Sequence, residues 1–180
     1  MTALEFSRTA PRARLGIKGP GAERWLGALG IEVPPSPNCW IGEAGLDAED
    51  LLVARLGTAE FFLEGASRGS RLSRILAAAR AYPPGVYPVL REDAAFSLSG
   101  EGCLDVLAQT CNVNFADLAL EARPIVLTLM IGVSVLIVPC TAAGRAEYRI
   151  WCDPTFGSYL EESLGGVVVE SGGQHRGVAA

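Results

Sequence analysis

Apolar residues alternate with polar ones along Arg14–Lys18, where Leu15 and Ile17 fall on one side. A Gly19-Pro20-Gly21 turn follows, and then Trp25 and Leu26 begin an apolar stripe at helical spacing. Period two giving way to period 3.6 predicts a short strand, a tight turn and an amphipathic helix. The pattern then recurs. Shifted by 81 positions, Ile17 falls on Leu98, Gly19 on Gly100, Gly21 on Gly102, and Trp25-Leu26 on Val106-Leu107. An internal repeat of this kind predicts two copies of one supersecondary unit.

A second echo follows each copy. Glu60-Phe61-Phe62-Leu63 resembles Glu147-Tyr148-Arg149-Ile150, and each stretch closes a predicted hairpin. The hairpins are Leu51–Leu56 with Glu60–Glu64, and Val133–Val138 with Ala146–Cys152, with Gly57 and Gly144 near the tips. Each hairpin leads into a helix. The first is expected from near Ser67 through Arg71, Leu72, Ile75 and Leu76. The second starts after Asp153, with Pro154 in the first turn and Phe156, Tyr159, Leu160 and Leu164 on one face. Strand, helix, hairpin, helix, twice over, predicts an α+β fold of duplicated ferredoxin-like βαββα units with a mixed, mainly antiparallel sheet. Residues 1–170 are expected to be one domain of two pseudo-repeats, about 14–80 and 94–170, followed by a flexible tail at 171–180.

Two stretches stand outside the repeat. The connection Gly30–Asp50 holds three prolines and Trp40, and is expected to wrap the surface or reach a neighbour. The apolar run Ile125–Val138, bounded by Pro124 and Pro139, is 14 residues long, too short to span a bilayer as a helix. Gly132 in its middle predicts two buried strands or one bent strand.

Composition narrows the class. Apolar residues make up 49% of the 180 and charged residues 19%, which suits a packed domain rather than a disordered chain. The net charge is −5, with no basic stripe, so nucleic acid is not an expected partner. Lys18 is the only lysine, and the remaining cations are arginines, which suit protein interfaces. Five cysteines without an apolar leader predict reduced thiols and a cytoplasmic chain that is not membrane-bound.

The sequence offers few groups for catalysis. His175 is the only histidine and lies in the glycine-rich tail, a poor place for a Ser-His-Asp or Cys-His constellation. Cys103 and Cys111 are eight apart and no C-x-x-C pair exists, so the thiols read as structural rather than zinc ligands. The turns at Gly19–Gly21 and Gly100–Gly102 lack the continuation of a phosphate loop, and the repeat explains them as tight strand-to-helix turns. Glu92-Asp93 and Glu161-Glu162 read as exposed charge. No residue is assigned a catalytic, cofactor-binding or metal-binding role.

The stretch Trp151-Cys152-Asp153-Pro154-Thr155-Phe156-Gly157-Ser158-Tyr159-Leu160 sets three aromatics around a helix start. One reading is a capped helix, with Asp153 accepting backbone N–H groups and Trp151 and Phe156 in the core. The other is an anchor at a subunit interface, for which Trp40, Trp151, Asp153, Phe156 and Tyr159 are the candidates.

Several stretches together resemble the gamma subunit of heterotetrameric sarcosine oxidase. They include Leu15-Gly16-Ile17-Lys18-Gly19-Pro20-Gly21-Ala22, Arg55-Leu56-Gly57-Thr58-Ala59-Glu60-Phe61, Asp93-Ala94-Ala95-Phe96-Ser97-Leu98-Ser99-Gly100 and the Trp151–Leu160 stretch. The resemblance runs roughly from Arg14 to Leu164. It implies a fold like the N-terminal part of the glycine-cleavage aminomethyltransferase. It also implies a non-catalytic chain that binds an alpha-type subunit directly and shares a complex with beta and delta subunits. Such a complex oxidises an N-methyl amine and passes the methylene to tetrahydrofolate. FAD, FMN, NAD and tetrahydrofolate would then sit on the partner subunits and none on this chain. Two other readings are the similar small subunit of N-methylglutamate dehydrogenase and a stand-alone folate-binding, aminomethyltransferase-like protein. The latter needs a pterin-holding carboxylate, for which Glu43, Asp47, Asp93 and Asp117 are available.

Overall fold

The alternating apolar stretches of the sequence become strands of two separate sheets. The computed structural model describes residues 3–42, 51–66, 72, 75–76, 82–142 and 144–177. In chain order the elements are β1 (Glu5–Arg8), β2 (Ala13–Lys18), α1 (Ala22–Ala28), β3 (Cys39–Ile41), β4 (Leu52–Gly57), β5 (Glu60–Gly65) and β6 (Tyr87–Val89). Then come β7 (Ala94–Ser99), α2 (Cys103–Thr110), β8 (Val126–Met130), β9 (Val133–Ala142), β10 (Arg145–Cys152), α3 (Gly157–Glu170) and β11 (Gln174–Arg176). The chain divides into one unit of residues Pro11–Arg91 and another of Met1–Ala10 with Glu92–Ala180.

In the Pro11–Arg91 unit the strand order is β3-β4-β5-β2-β6, and every pairing is antiparallel. One sheet face carries Leu15, Ile17, Val53, Phe61 and Leu63, and packs with Leu26 of α1 into a single core. Each such side chain contributes about 1.5–3 kcal/mol by leaving water. Arg55, 7% exposed, lies on this same face. Its Nη1 donates to the Pro34 carbonyl at 3.0 Å and its Nη2 to the Thr58 carbonyl at 2.8 Å. On the opposite face Glu64, 2% exposed, accepts from Arg14 Nε at 2.6 Å. The two stand directly across the β2–β5 pair, so the sheet register itself brings the ions together.

In the other unit the order is β11-β1-β7-β10-β9-β8. Phe6, Phe96, Leu98, Val106, Leu107, Ile150, Leu160 and Leu164 form its core beneath α2 and α3. The part β8-β9-β10-β7-β1 follows the same path as β3-β4-β5-β2-β6. Strands β2 and β7 begin and end 81 positions apart, and Glu60 and Glu147 stand opposite Lys18 and Ser99. The shared glycines have a shared cause. A Cβ on Gly19 would collide with the Gly85 carbonyl and one on Gly100 with the Ala3 carbonyl, and both residues have positive φ.

Several expectations change. The mixed sheet resolves into two sheets, and among the described residues the one parallel pair is β1 with β11. Strand β4, the next predicted strand after α1, does not lie beside β2, because its hairpin partner β5 stands between them. The connection with Trp40 contributes the edge strand β3, while its residues 43–50 lie outside the described residues. Gly132 does divide the apolar run in two, with Ile131 and Gly132 forming the turn at φ 50 and 80. Only β9 is largely buried, because β8 is an edge strand that exposes Leu127 and Leu129. Of the helix expected from Ser67, Leu72, Ile75 and Leu76 are helical, and Leu72 and Ile75 are buried; the rest of that stretch, Ser67 and Arg71 included, lies outside the described residues. Residues 174–176, expected in a mobile tail, form β11, because pairing with β1 satisfies backbone groups that a free tail leaves to water.

Candidate functional site

Strand β10 ends at Cys152, and Asp153 turns the chain into α3. The Asp153 carboxylate accepts from the Thr155 backbone N–H at 2.9 Å and from the Thr155 hydroxyl at 2.5 Å. Those bonds hold its pKa below the usual carboxylate range, with the hydroxyl contributing most, so Asp153 keeps its charge. Pro154–Phe156 forms a 3-10 turn before the α-helix starts at Gly157. The tighter turn shifts the helical phase by part of a residue. Leu160, Leu164 and Val168 recur at four-residue spacing and face the core, Tyr159 lies about 100° round the helix from Leu160, and Phe156 and Tyr159 are each 51% exposed. Expectation had put all four of Phe156, Tyr159, Leu160 and Leu164 on one face. Tyr159 donates its hydroxyl to the Ile131 carbonyl at 3.3 Å, which ties the helix start to the β8–β9 turn.

The two candidate tryptophans, Trp40 and Trp151, lie elsewhere. Trp151 is 1% exposed on β10, with the buried Arg149 guanidinium carbon 5.1 Å from its ring centroid. On the same sheet face Ser97 donates to Glu147 Oε1 at 3.1 Å. Trp40 is 8% exposed on β3 of the Pro11–Arg91 unit. Of the five interface candidates, the structure brings Asp153, Phe156 and Tyr159 together at one exposed helix start and buries Trp40 and Trp151.

The groups expected to be inert sit in quiet surroundings. Burial pushes the Cys103 and Cys140 thiols up to about 12 and Cys152 to about 11, and raises Cys111 as well. Such thiols carry little thiolate at neutral pH. His175 lies tilted against Phe6, ring centroids 5.4 Å apart, and its Nε2 is 3.8 Å from Glu161 Oε1. Glu161 also accepts from Arg8 Nη1 at 3.1 Å, whereas its neighbour Glu162 is exposed. Among the described residues no three His, Cys, Asp or Glu side chains stand together to hold a metal. No described helix is long and apolar enough to cross a membrane.

An open cleft of about 590 Å³ lies at the end of α2, lined by Leu104, Asp105, Cys111, Asn114 and Phe115 among others. Its carboxylate, Asp105, is on the exposed side of α2. Its aromatic ring, Phe115, is buried in a T-shaped contact with Tyr148 at 5.7 Å. Of the other candidate carboxylates, Asp117 accepts from Asn114 Nδ2 at 2.7 Å within its own turn, and Asp93 acts on the nearby Cys152 thiol. Glu43 and Asp47 lie outside the described residues.

Sequence reasoning missed the buried charges Arg55, Glu64, Glu147 and Arg149, and the exposed Gly166 in the middle of α3. For Gly166 a signal existed. Two successive glycines in the middle of a helix, Gly165-Gly166, cost stability and call for a reason.

The architecture, mixed α+β with two sheets built mostly of strands, is aminomethyltransferase-like. Two solved structures show this. A chain of the heterotetrameric sarcosine oxidase from Corynebacterium sp. U-96, in complex with pyrrole 2-carboxylate, superposes with a TM-score of 0.72 at 21% identity, over 93% of this chain and 84% of that one. The glycine cleavage system aminomethyltransferase T from Bartonella henselae superposes with a TM-score of 0.67 at 17% identity, over 98% of this chain and 48% of that one. The chain thus spans about half the length of the aminomethyltransferase. No protein-family profile and no curated protein matches it by sequence.

Proposed function

We propose that this chain is a gamma-type, non-catalytic subunit of a heterotetrameric, sarcosine oxidase-like complex, built on two copies of a ferredoxin-like unit. The supporting observation is the near end-to-end match with a chain of such an enzyme, 93% of one and 84% of the other. The aminomethyltransferase, by contrast, continues for as much again beyond the match. In this reading the chain holds a direct contact to an alpha-type subunit within an assembly that also has beta and delta subunits. FAD, FMN, NAD and tetrahydrofolate belong to those partners, and the assembly oxidises an N-methyl amine with transfer of the methylene to tetrahydrofolate in the cytoplasm.

Co-expression with the alpha-type subunit of the same organism tests this. A stoichiometric complex on size exclusion is expected. A chain that elutes alone, or that by itself binds tetrahydrofolate at micromolar concentration in calorimetry, overturns the reading in favour of a stand-alone folate-binding protein.

A further inference from the structure

The outward face of α3 is built unlike the rest of the helix. Ser158, Tyr159, Glu162, Gly166, Val169 and Glu170 are exposed, and they fall on one side of the helical wheel. Phe156 stands at its N-terminal margin, and Val169, 56% exposed, lies near its far end. Gly166 is central to this arc, and a Cβ there would meet nothing within 4 Å. Its neighbour Gly165 has a reason within the chain, since a Cβ there would sit 2.6 Å from His175 Nδ1. Gly166 has none. A helix interior gives up stability to carry glycine, and a backbone approached closely from outside is a physical reason to do so.

The charges on this face have one sign. Asp153, Glu162 and Glu170 are exposed carboxylates, and α3 contains no Lys, Arg or His. Arg8 reaches the helix but is engaged by Glu161 on the other flank, at 3.1 Å. A second copy of the chain seated here about a two-fold axis would set like charges against like. A partner with a cationic rim around an apolar pocket would not.

We infer that the Phe156–Tyr159–Gly166–Val169 face of α3 is the docking surface for a larger partner protein that presents an apolar pocket rimmed by Arg or Lys. This deepens the subunit reading above and rests on it. The two aromatic rings act as anchors, the glycine lets a partner side chain or backbone settle against the helix, and the carboxylates set orientation and encounter rate.

The test compares the unaltered chain with Phe156→Ala/Tyr159→Ala, Gly166→Leu and Glu162→Arg, each co-expressed with the alpha-type subunit and its affinity measured at two salt concentrations. All four positions are exposed, and Tyr159→Phe, which loses only the bond to the Ile131 carbonyl and is expected to bind as the unaltered chain does, separates the ring's anchoring from that structural tie. Expected are a drop of about tenfold or more for the double variant and for Gly166→Leu, and a salt-dependent loss for Glu162→Arg. Equal binding by all chains overturns the docking face and leaves the subunit reading standing. An unaltered chain that does not bind overturns both. Self-association of the isolated chain that these substitutions abolish also overturns the proposal, in favour of a second copy.

Discussion

Arg55 of β4 reaches Glu23 of α1, its Nη2 lying 2.9 Å from Glu23 Oε2. The same guanidinium bonds the Pro34 and Thr58 carbonyls and lies 5.3 Å from the Phe61 ring centroid. One planar fork thus joins a strand, a helix, a loop and a hairpin tip. Arg55→Met strands the Pro34 carbonyl without its donor and is expected to cost about 2 kcal/mol. Arg55→Lys is expected to recover little, because an ammonium does not reproduce the fork. Urea unfolding midpoints of the two variants decide this; a midpoint for Arg55→Lys equal to that of the unaltered chain would refute it.

Gly165 and His175 are coupled. Alanine at 165 gains helix propensity yet pushes on the imidazole of β11. In a double-mutant cycle, Gly165→Ala is expected to be about 1 kcal/mol or more less favourable beside His175 than beside His175→Ala. Hydrogen exchange at 174–176 should quicken in the single variant alone.

Gly166→Ala is the contrasting case. With open space around the added methyl, it is expected to stabilise the isolated chain by about 0.5–1 kcal/mol, read as a rise in Tm. No rise would mean that the helix is constrained there by its own chain.

The buried thiols give the chain an alkaline limit. In the unfolded chain a thiol loses its proton near the ordinary value of 9.0, whereas in the folded chain Cys103 and Cys140 hold theirs to about 12 and Cys152 to about 11. Above pH 9 the folded state therefore binds more protons than the unfolded one, and stability falls as pH rises toward 12. Serine at Cys103 and Cys140 together should flatten the decline measured by unfolding midpoints between pH 8 and 11. A thiol reagent at pH 8 should reach the half-buried Cys39 well before the four buried thiols.

Periodic stretches were legible. Leu15/Ile17 and Phe96/Leu98 announced β2 and β7, and the 81-residue shift put α1 and α2 in register, because a long repeat averages over weak local signals. The three- and four-residue strands β1, β3, β6 and β11 were not legible. A strand that short has no period of its own, and β1 exists because β7, far along the chain, supplies its partners. The site was half legible. The cluster of rings around Asp153 was visible, but which rings are buried depends on their elements, since Trp151 faces inward from β10 while Tyr159 lies one residue off the buried Leu160 stripe of α3.

The pairing of β1 with β7 and β11 also bears on synthesis. During synthesis β1 emerges before either of its partners, for its antiparallel one follows about ninety residues later and its parallel one later still. At ordinary elongation rates of about 5–20 residues per second, the nascent segment waits seconds with Phe6 uncovered. The Pro11–Arg91 unit, whose strands all lie within it, has every partner it needs during that interval. Newly made chains are therefore expected to depend on chaperone contact at the β1 segment, and slower translation of the stretch between β1 and β7 should lengthen that dependence.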